Sequence, residues 1–592
     1  MKKRSEIEER FKWDLTKFCK DDKEFYSRLD AVAQKIGEFK KYEGKLSNDD
    51  TLFECLEFES IFGIEISLIA EYAQLRLCEN NAERSANEMT EKLSVVGAKF
   101  STATSYIDVE ISKFSDEKLK ALQNNSKFKN YKRFFEAVLR DKKHTLSKKE
   151  ELLISRMSEF LGGYSSCYDK FSDVDLKFDK IKDSKGVEHE FNQSNYSIYV
   201  ESKDRTLREN AFKEINGKRG EFINFLATNY INDIKETCVF AKIRKHKSAL
   251  SASIFNEEAS EDVYNMLIKK VRENVDLQAR YFEIKRKMLK LPEFAVYDTF
   301  APVVKDVEKK YTYDEAIDLI KEAVSCLGEE YVSLIQCAKD ERWIDVMPNQ
   351  NKDSGAFSSG VYGATPVVLM NFEGNLESVF TLAHELGHAM HTYHSCKHQP
   401  VQTADYVIFV AEVASNVNEQ LLLRHLLSKA KTNDEKIFLY DHFLKDMRSS
   451  IFRQTMFAEF EQFAHEEYEK ENPLSAELLC EKYEELNNFY HGKNVVQIPE
   501  MKFEWARIPH FYRSFYVYKY ATGLICAIKI ASKLLTEKGF AKKYLKFLSA
   551  GCSADPISLL KIADCDLTKE ETFDDAFKTC EEYIKKWETL LQ

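Results

Sequence analysis

This chain of 592 residues reads as mainly α-helical, on three grounds. Its nine prolines all lie at or beyond Pro292, so nearly half of the chain lacks the residue that most strongly breaks a helix. Long stretches space apolar residues three and four apart among charged ones, the period of a helix with one buried face. Alternating or β-branched stretches are few and short.

Asp49 to Cys78 and Ser85 to Ser105 are read as long helices. Phe178 to Val200 breaks the pattern, and its alternation around Lys185-Gly186 predicts a β-hairpin. Ser202 is then expected to cap a helix entering a larger second part. This places a boundary near residue 200, between an N-terminal helical domain over 1–200 and a second domain over 201–592. No internal repeat stands out, which disfavours an array of helical repeats. Further along, Gly355 to Gly363 reads as a mobile loop able to approach another backbone closely. Thr365 to Phe372 reads as an edge strand, because its proline stands near the start.

The run from His384 to His394, HELGHAMHTYH, opens with HExxH. Two histidines four apart stand one turn apart on one helix face, where both imidazoles can reach a single metal ion with a glutamate beside them. Asn375 is placed to cap this helix and Glu377 to complement its N-terminus. Val379, Leu382, Ala383, Leu386 and Met390 supply an apolar stripe. The pattern is that of a zinc hydrolase, one zinc per chain.

Catalytic zinc takes three protein ligands and leaves a position for water, so a third ligand is needed. His394 has the spacing of the extended pattern H-E-x-x-H-x-x-G-x-x-H, but His391 stands where that pattern turns back on glycine. A continuing helix carries His394 about 15 Å along the axis from His384, too far for bonds of about 2.1 Å. His391 lies about 10 Å along and would converge only with strain. The third candidate is Glu412, a lone carboxylate in the apolar run Val407 to Ser415. Buried and ionised, it would cost several kcal/mol unless a cation stood opposite. The intervening chain is long enough to finish one helix, turn through Lys397 to Pro400 and return beside it. A lysine or arginine partner is the alternative explanation for this acid.

Composition limits the remaining classes. A formal charge of -11 with pI near 5.8 argues against a nucleic-acid surface. No run of apolar residues is long enough to span a membrane. The charged start, from Met1 to Arg10, precedes no apolar segment and leads to the expectation that no signal peptide is present. Thirteen cysteines without a CxxC pair suit reduced thiols, and the expected location is cytoplasmic.

Four ordered motifs resemble the oligoendopeptidase F branch of the M3 metallopeptidases, relatives of thimet oligopeptidase. They are Ser354 to Gly360 leading into Met370-Asn371-Phe372, TLAHELGHAMH from 381 to 391, FVAEVASNVNE from 409 to 419, and Arg507 to Tyr512 followed by Phe515 to Gly523. The likeness is strongest over roughly 350–525, and Trp13-Asp14-Leu15 extends it towards the N-terminus. The resemblance implies two helical lobes flanking a deep substrate cleft, a small β-sheet beside the HExxH helix, and a zinc endopeptidase acting on oligopeptides bound extended. Residues 201–592 would then be the catalytic domain.

With His384, His388 and Glu412 as ligands, Glu385 would take a proton from the attacking water and return it to the leaving amine. His510, where the family pattern places a histidine, and Tyr516 and Tyr518 would supply donors to the developing oxyanion. Ser415 and Asn416, one turn beyond Glu412, could support a ligand. An edge strand beside zinc would hold peptide backbone and predict broad specificity. Two other readings remain. A carboxypeptidase or peptidyl-dipeptidase would need a cation for the substrate's terminal carboxylate, with Arg507, Arg513 and Lys519 as candidates. A non-catalytic peptide-binding protein would be expected to have lost Glu385 or a ligand, and all are present.

Overall fold

The computed structural model describes residues 1–157, 161–255, 257–304 and 309–591. Helices dominate, with three small sheets of two, two and three strands among the described residues. Contacts divide the chain into two compact units, each assembled from three separated stretches. The first takes Met1–Lys143, Glu308–His425 and Ile530–Cys565; the second takes His144–Val307, Leu426–Lys529 and Asp566–Gln592. No helix among the described residues is long and apolar enough to cross a membrane.

In the first unit the two long helices run Asp49–Glu79 and Arg84–Thr104, close to their expected bounds. Aromatic rings knit them together, Phe62 stacking on Phe100 at 4.6 Å and Phe39 meeting both edge-on. The Trp13 indole donates to Glu79 at 2.7 Å, and Arg4 bridges Glu79 and Asp345. These pairs tie the start of the chain to the three-stranded sheet.

That sheet corrects two expectations. Its order is Ile344–Asp345, Val367–Leu369, Phe357–Ser359, so the apolar run is the central strand. Val367, Val368 and Leu369 are fully buried, and an unbroken apolar run marks a strand covered on both faces. Pro366 lies before the strand and therefore removes no ladder bond. The edge on the other side belongs to Phe357–Ser359, inside the segment read as a mobile loop. That segment is held by Asn371, whose amide donates to the carbonyls of Asp353 and Gly355.

From the sheet the chain enters the HExxH helix, Leu376–His398. Asn375 caps it, accepting the Ser378 N–H at 2.8 Å, and Gln399-Pro400 stops it. The next long helix is Ile408–Lys429, and it crosses the first at Gly387. A Cβ on Gly387 would lie 2.6 Å from the Ser415 Cα and 2.7 Å from the Ala414 oxygen, so only glycine permits this approach. Asn418 fastens the crossing by donating to the Ala383 carbonyl, while Tyr331 donates to Asn418.

In the second unit the expected hairpin is short, Ile181–Lys182 against Glu188–His189 around Gly186 at positive φ. The rest of that segment ends in a helical turn, Tyr196–Val200, rather than a strand. The following helix, Arg205–Gly220, is capped by Asp204 and not by Ser202, whose hydroxyl instead accepts the Asp204 N–H. A carboxylate there also complements the helix dipole. The core of this unit gathers Tyr230, Phe460, Trp505 and Phe511. The buried carboxylate of Glu504 is met by Arg453 and Tyr483.

Candidate metal centre

The two crossing helices bring His384, His388 and Glu412 together. Nε2 of His384 and Nε2 of His388 are 3.2 Å apart, and Glu412 Oε2 stands 3.5 and 3.7 Å from them. Four-coordinate zinc with bonds of about 2.0–2.2 Å has ligand-to-ligand edges of about 3.3–3.6 Å. The three separations lie close to that range, so the atoms fit one face of such a tetrahedron. Among the described residues this is the group of histidine, cysteine and acidic side chains that could hold a metal ion.

The three side chains are themselves held. His384 Nδ1 faces Glu419 Oε2 at 3.3 Å, an arrangement that fixes the ring and presents its other nitrogen as a lone pair. Ser415 donates to the Glu412 backbone carbonyl and reaches its carboxylate at 3.3 Å. The Asn416 side chain makes no hydrogen bond to the Glu412 carboxylate among the described residues. Glu419 was not singled out from the sequence, although it follows Glu412 by two turns and so shares its face.

The electrostatics ask for a cation. Burial opposes charge on His384, but Glu419, Glu385 and Glu412 outweigh it and raise that imidazole to about 9. Burial together with His384 pushes His388 down to about 3. Burial pushes the Glu385 carboxyl up to about 7, Glu412 and Glu419 adding to the rise and His384 opposing it. A general base works best near the operating pH, and a nearby dication would favour its charged form.

The other histidines of the motif are elsewhere. His391 is buried with its ring stacked on Tyr406 at 3.7 Å, and burial pushes it down to about 3. His394 lies parallel to Tyr331 and His398, neutral for the same reason. Both pack as uncharged core rings.

His384, Glu385, His388 and Glu412 line a cavity of about 940 Å³ within the first unit. Ala356 to Tyr362, which include the edge strand, form one wall, and the backbone of Ser358 hydrogen-bonds Glu385.

His510, Tyr516 and Tyr518 lie in the second unit. The rings of His510, Tyr516 and Tyr520 cluster at 5.5 to 6.3 Å. Tyr520 was not among the sequence candidates, though it follows Tyr516 by four residues. Tyr518 lies apart, buried against Tyr264 with its hydroxyl 3.4 Å from Glu257. Burial and Arg513 hold His510 below the usual imidazole range.

Comparison with known proteins agrees with this picture. Residues 198–579 match the model of peptidase family M3, and residues 110–178 match that of oligopeptidase F. Oligopeptidase PepF of Bacillus subtilis is 36% identical over 99% of this chain and 88% of its own length. An oligoendopeptidase F homolog of Borreliella burgdorferi is 35% identical over 98% and 99%. Among solved structures, a putative peptidase from Chlamydophila abortus superposes with a TM-score of 0.94 at 32% identity, covering all of both chains. Oligoendopeptidase-F from Enterococcus faecium gives 0.74 at 29%, covering 96% and 99%. The chain belongs to peptidase family M3, and within it is a metalloendopeptidase of the oligoendopeptidase F group.

Proposed function

We propose that the protein hydrolyses internal bonds of short oligopeptides in a zinc-dependent reaction, with Glu385 as general base. The observation that carries this reading is the tetrahedral face made by His384, His388 and Glu412, with Glu385 lining the same cavity. When bound, zinc supplies a Lewis acid that lowers the pKa of a water towards about 7 and polarises the peptide carbonyl. Glu385 accepts the proton of the attacking water and passes it to the leaving nitrogen. Glu419 keeps the His384 ring oriented, and Ser415 steadies the Glu412 carboxylate.

Substrate backbone pairs with the outer edge of Phe357–Ser359, so that main-chain bonds supply affinity common to many peptides. His510 donates to the developing oxyanion, with Tyr516 or Tyr518, on the strength of the family motif. Tyr516 is favoured because its ring stands beside that of His510. A boundary near residue 200 is proposed between an N-terminal and a catalytic segment. Free thiols at all thirteen cysteines support a reducing, cytoplasmic location.

An exopeptidase reading gains no support from the cavity of the first unit, because among the described residues no lysine or arginine lines it to bind a terminal carboxylate. The deciding experiment uses a fluorogenic peptide blocked at both ends. Cleavage that stops with a chelator and returns with zinc is expected; cleavage only of peptides with a free terminus would overturn the endopeptidase reading.

A further inference from the structure

We propose that Asp405 selects, among peptides, those that bring an ammonium or guanidinium group into the cavity of the first unit. This rests on the peptidase reading above and names the charge preference of that same site. Asp405 is exposed on the cavity wall that also carries Glu385 and Glu412. Among the described residues the wall holds no lysine or arginine. Among the described residues no cation pairs with Asp405, whose carboxylate accepts only the neighbouring Tyr406 N–H, at 2.8 Å. Of the three carboxylates that line the cavity, a divalent ion at the histidines would offset Glu385 and Glu412 and leave Asp405 unbalanced, while Glu419 is engaged by His384 outside the lining. In a concave wall that charge raises the local concentration of cationic groups.

The backbone that carries this carboxylate is also held in place. The Tyr406 ring stacks on His391, and its hydroxyl meets Thr392 at 2.7 Å. Ser395 donates to the Ala404 carbonyl, so residues on both sides of Asp405 are fastened to the HExxH helix. Little ordering remains to oppose a ligand that arrives there.

The test uses full-length, zinc-loaded enzyme and two sets of fluorogenic peptides. In one, peptides blocked at both ends differ by lysine or norleucine at each position in turn. In the other, the norleucine peptide has a free or an acetylated N-terminus, which separates a side-chain cation from the terminal ammonium. In at least one set, Asp405→Asn is expected to lower the cationic-to-neutral ratio of kcat/KM about fivefold, through KM, and Asp405→Lys to lower it further. The preference should shrink at high salt. Ratios unchanged in both variants and both sets would overturn the inference and leave Asp405 a solvated loop acid. Wild-type enzyme inert towards every peptide would overturn the peptidase reading and this inference with it.

Discussion

Gly387→Ala is a one-methyl change that should break the metal centre without touching a ligand. The new Cβ would stand 2.6 Å from the Ser415 Cα, whereas two carbons settle at about 3.5–4.0 Å. The neighbour is backbone, so it cannot turn aside, and the two helices must part by about 1 Å. Glu412 rides on the displaced helix. Its carboxylate, now 3.5 and 3.7 Å from the two imidazoles, would retreat by the same amount and leave bonding range of an ion held by His384 and His388. Overpacking of this kind costs about 1–3 kcal/mol of stability. Loss of a properly seated ligand should weaken zinc binding by at least the 10–100-fold typical of disturbed supporting groups. Competition against a chromophoric chelator measures the affinity, and thermal unfolding of the metal-free protein measures the strain. Gly97→Ala is the control: it lies in the helix Arg84–Thr104 with nothing within 4 Å of its added Cβ, and should be neutral or stabilising. Wild-type zinc affinity and stability in Gly387→Ala would refute the argument from close approach.

Glu385→Gln should keep stoichiometric zinc and lose nearly all turnover, whereas Glu412→Ala should lose the zinc itself; full activity in the first would remove Glu385 as the base. Glu419→Gln should weaken zinc binding about 10–100-fold by releasing the His384 ring, and unchanged affinity would deny it that part. Burial, with Glu236 adding, raises Asp233 to about 7. In the unfolded chain it ionises near the ordinary carboxylate value, so the folded state binds the extra proton between about pH 4 and 7 and loses stability as pH rises through that window. Asp233→Asn should therefore stabilise the protein more at pH 8 than at pH 5, by at most about 1.4 kcal/mol per pH unit, as read by denaturant unfolding. Equal gains at both pH values would contradict the raised value.

The HExxH helix was legible because its signals are local: a cap, an apolar stripe and a four-residue spacing all agree. Glu412 was legible for a different reason, since a carboxylate in an apolar run needs a cation wherever the chain folds. The sheet was misread because a proline suggested an edge, while the unbroken apolar run of Val367 to Leu369 carried the stronger signal of a strand covered on both faces. The true edge at Phe357–Ser359 was masked by glycines on either side. Glu419 was within reach of helical spacing from Glu412, whereas Tyr520 was not, because Tyr516 precedes the helix Tyr518–Thr536. The interleaving of the chain between two compact units depends on long-range contacts, which no local pattern encodes.

A structure of the wild-type protein soaked with zinc, with anomalous scattering recorded at the zinc edge, tests the central claim most directly. One ion is expected per chain, bonded to Nε2 of His384, Nε2 of His388 and a carboxylate oxygen of Glu412 at about 2.0–2.2 Å. An ion bound at His391 or His394, or no ion with Glu412 turned away from both imidazoles, would contradict it.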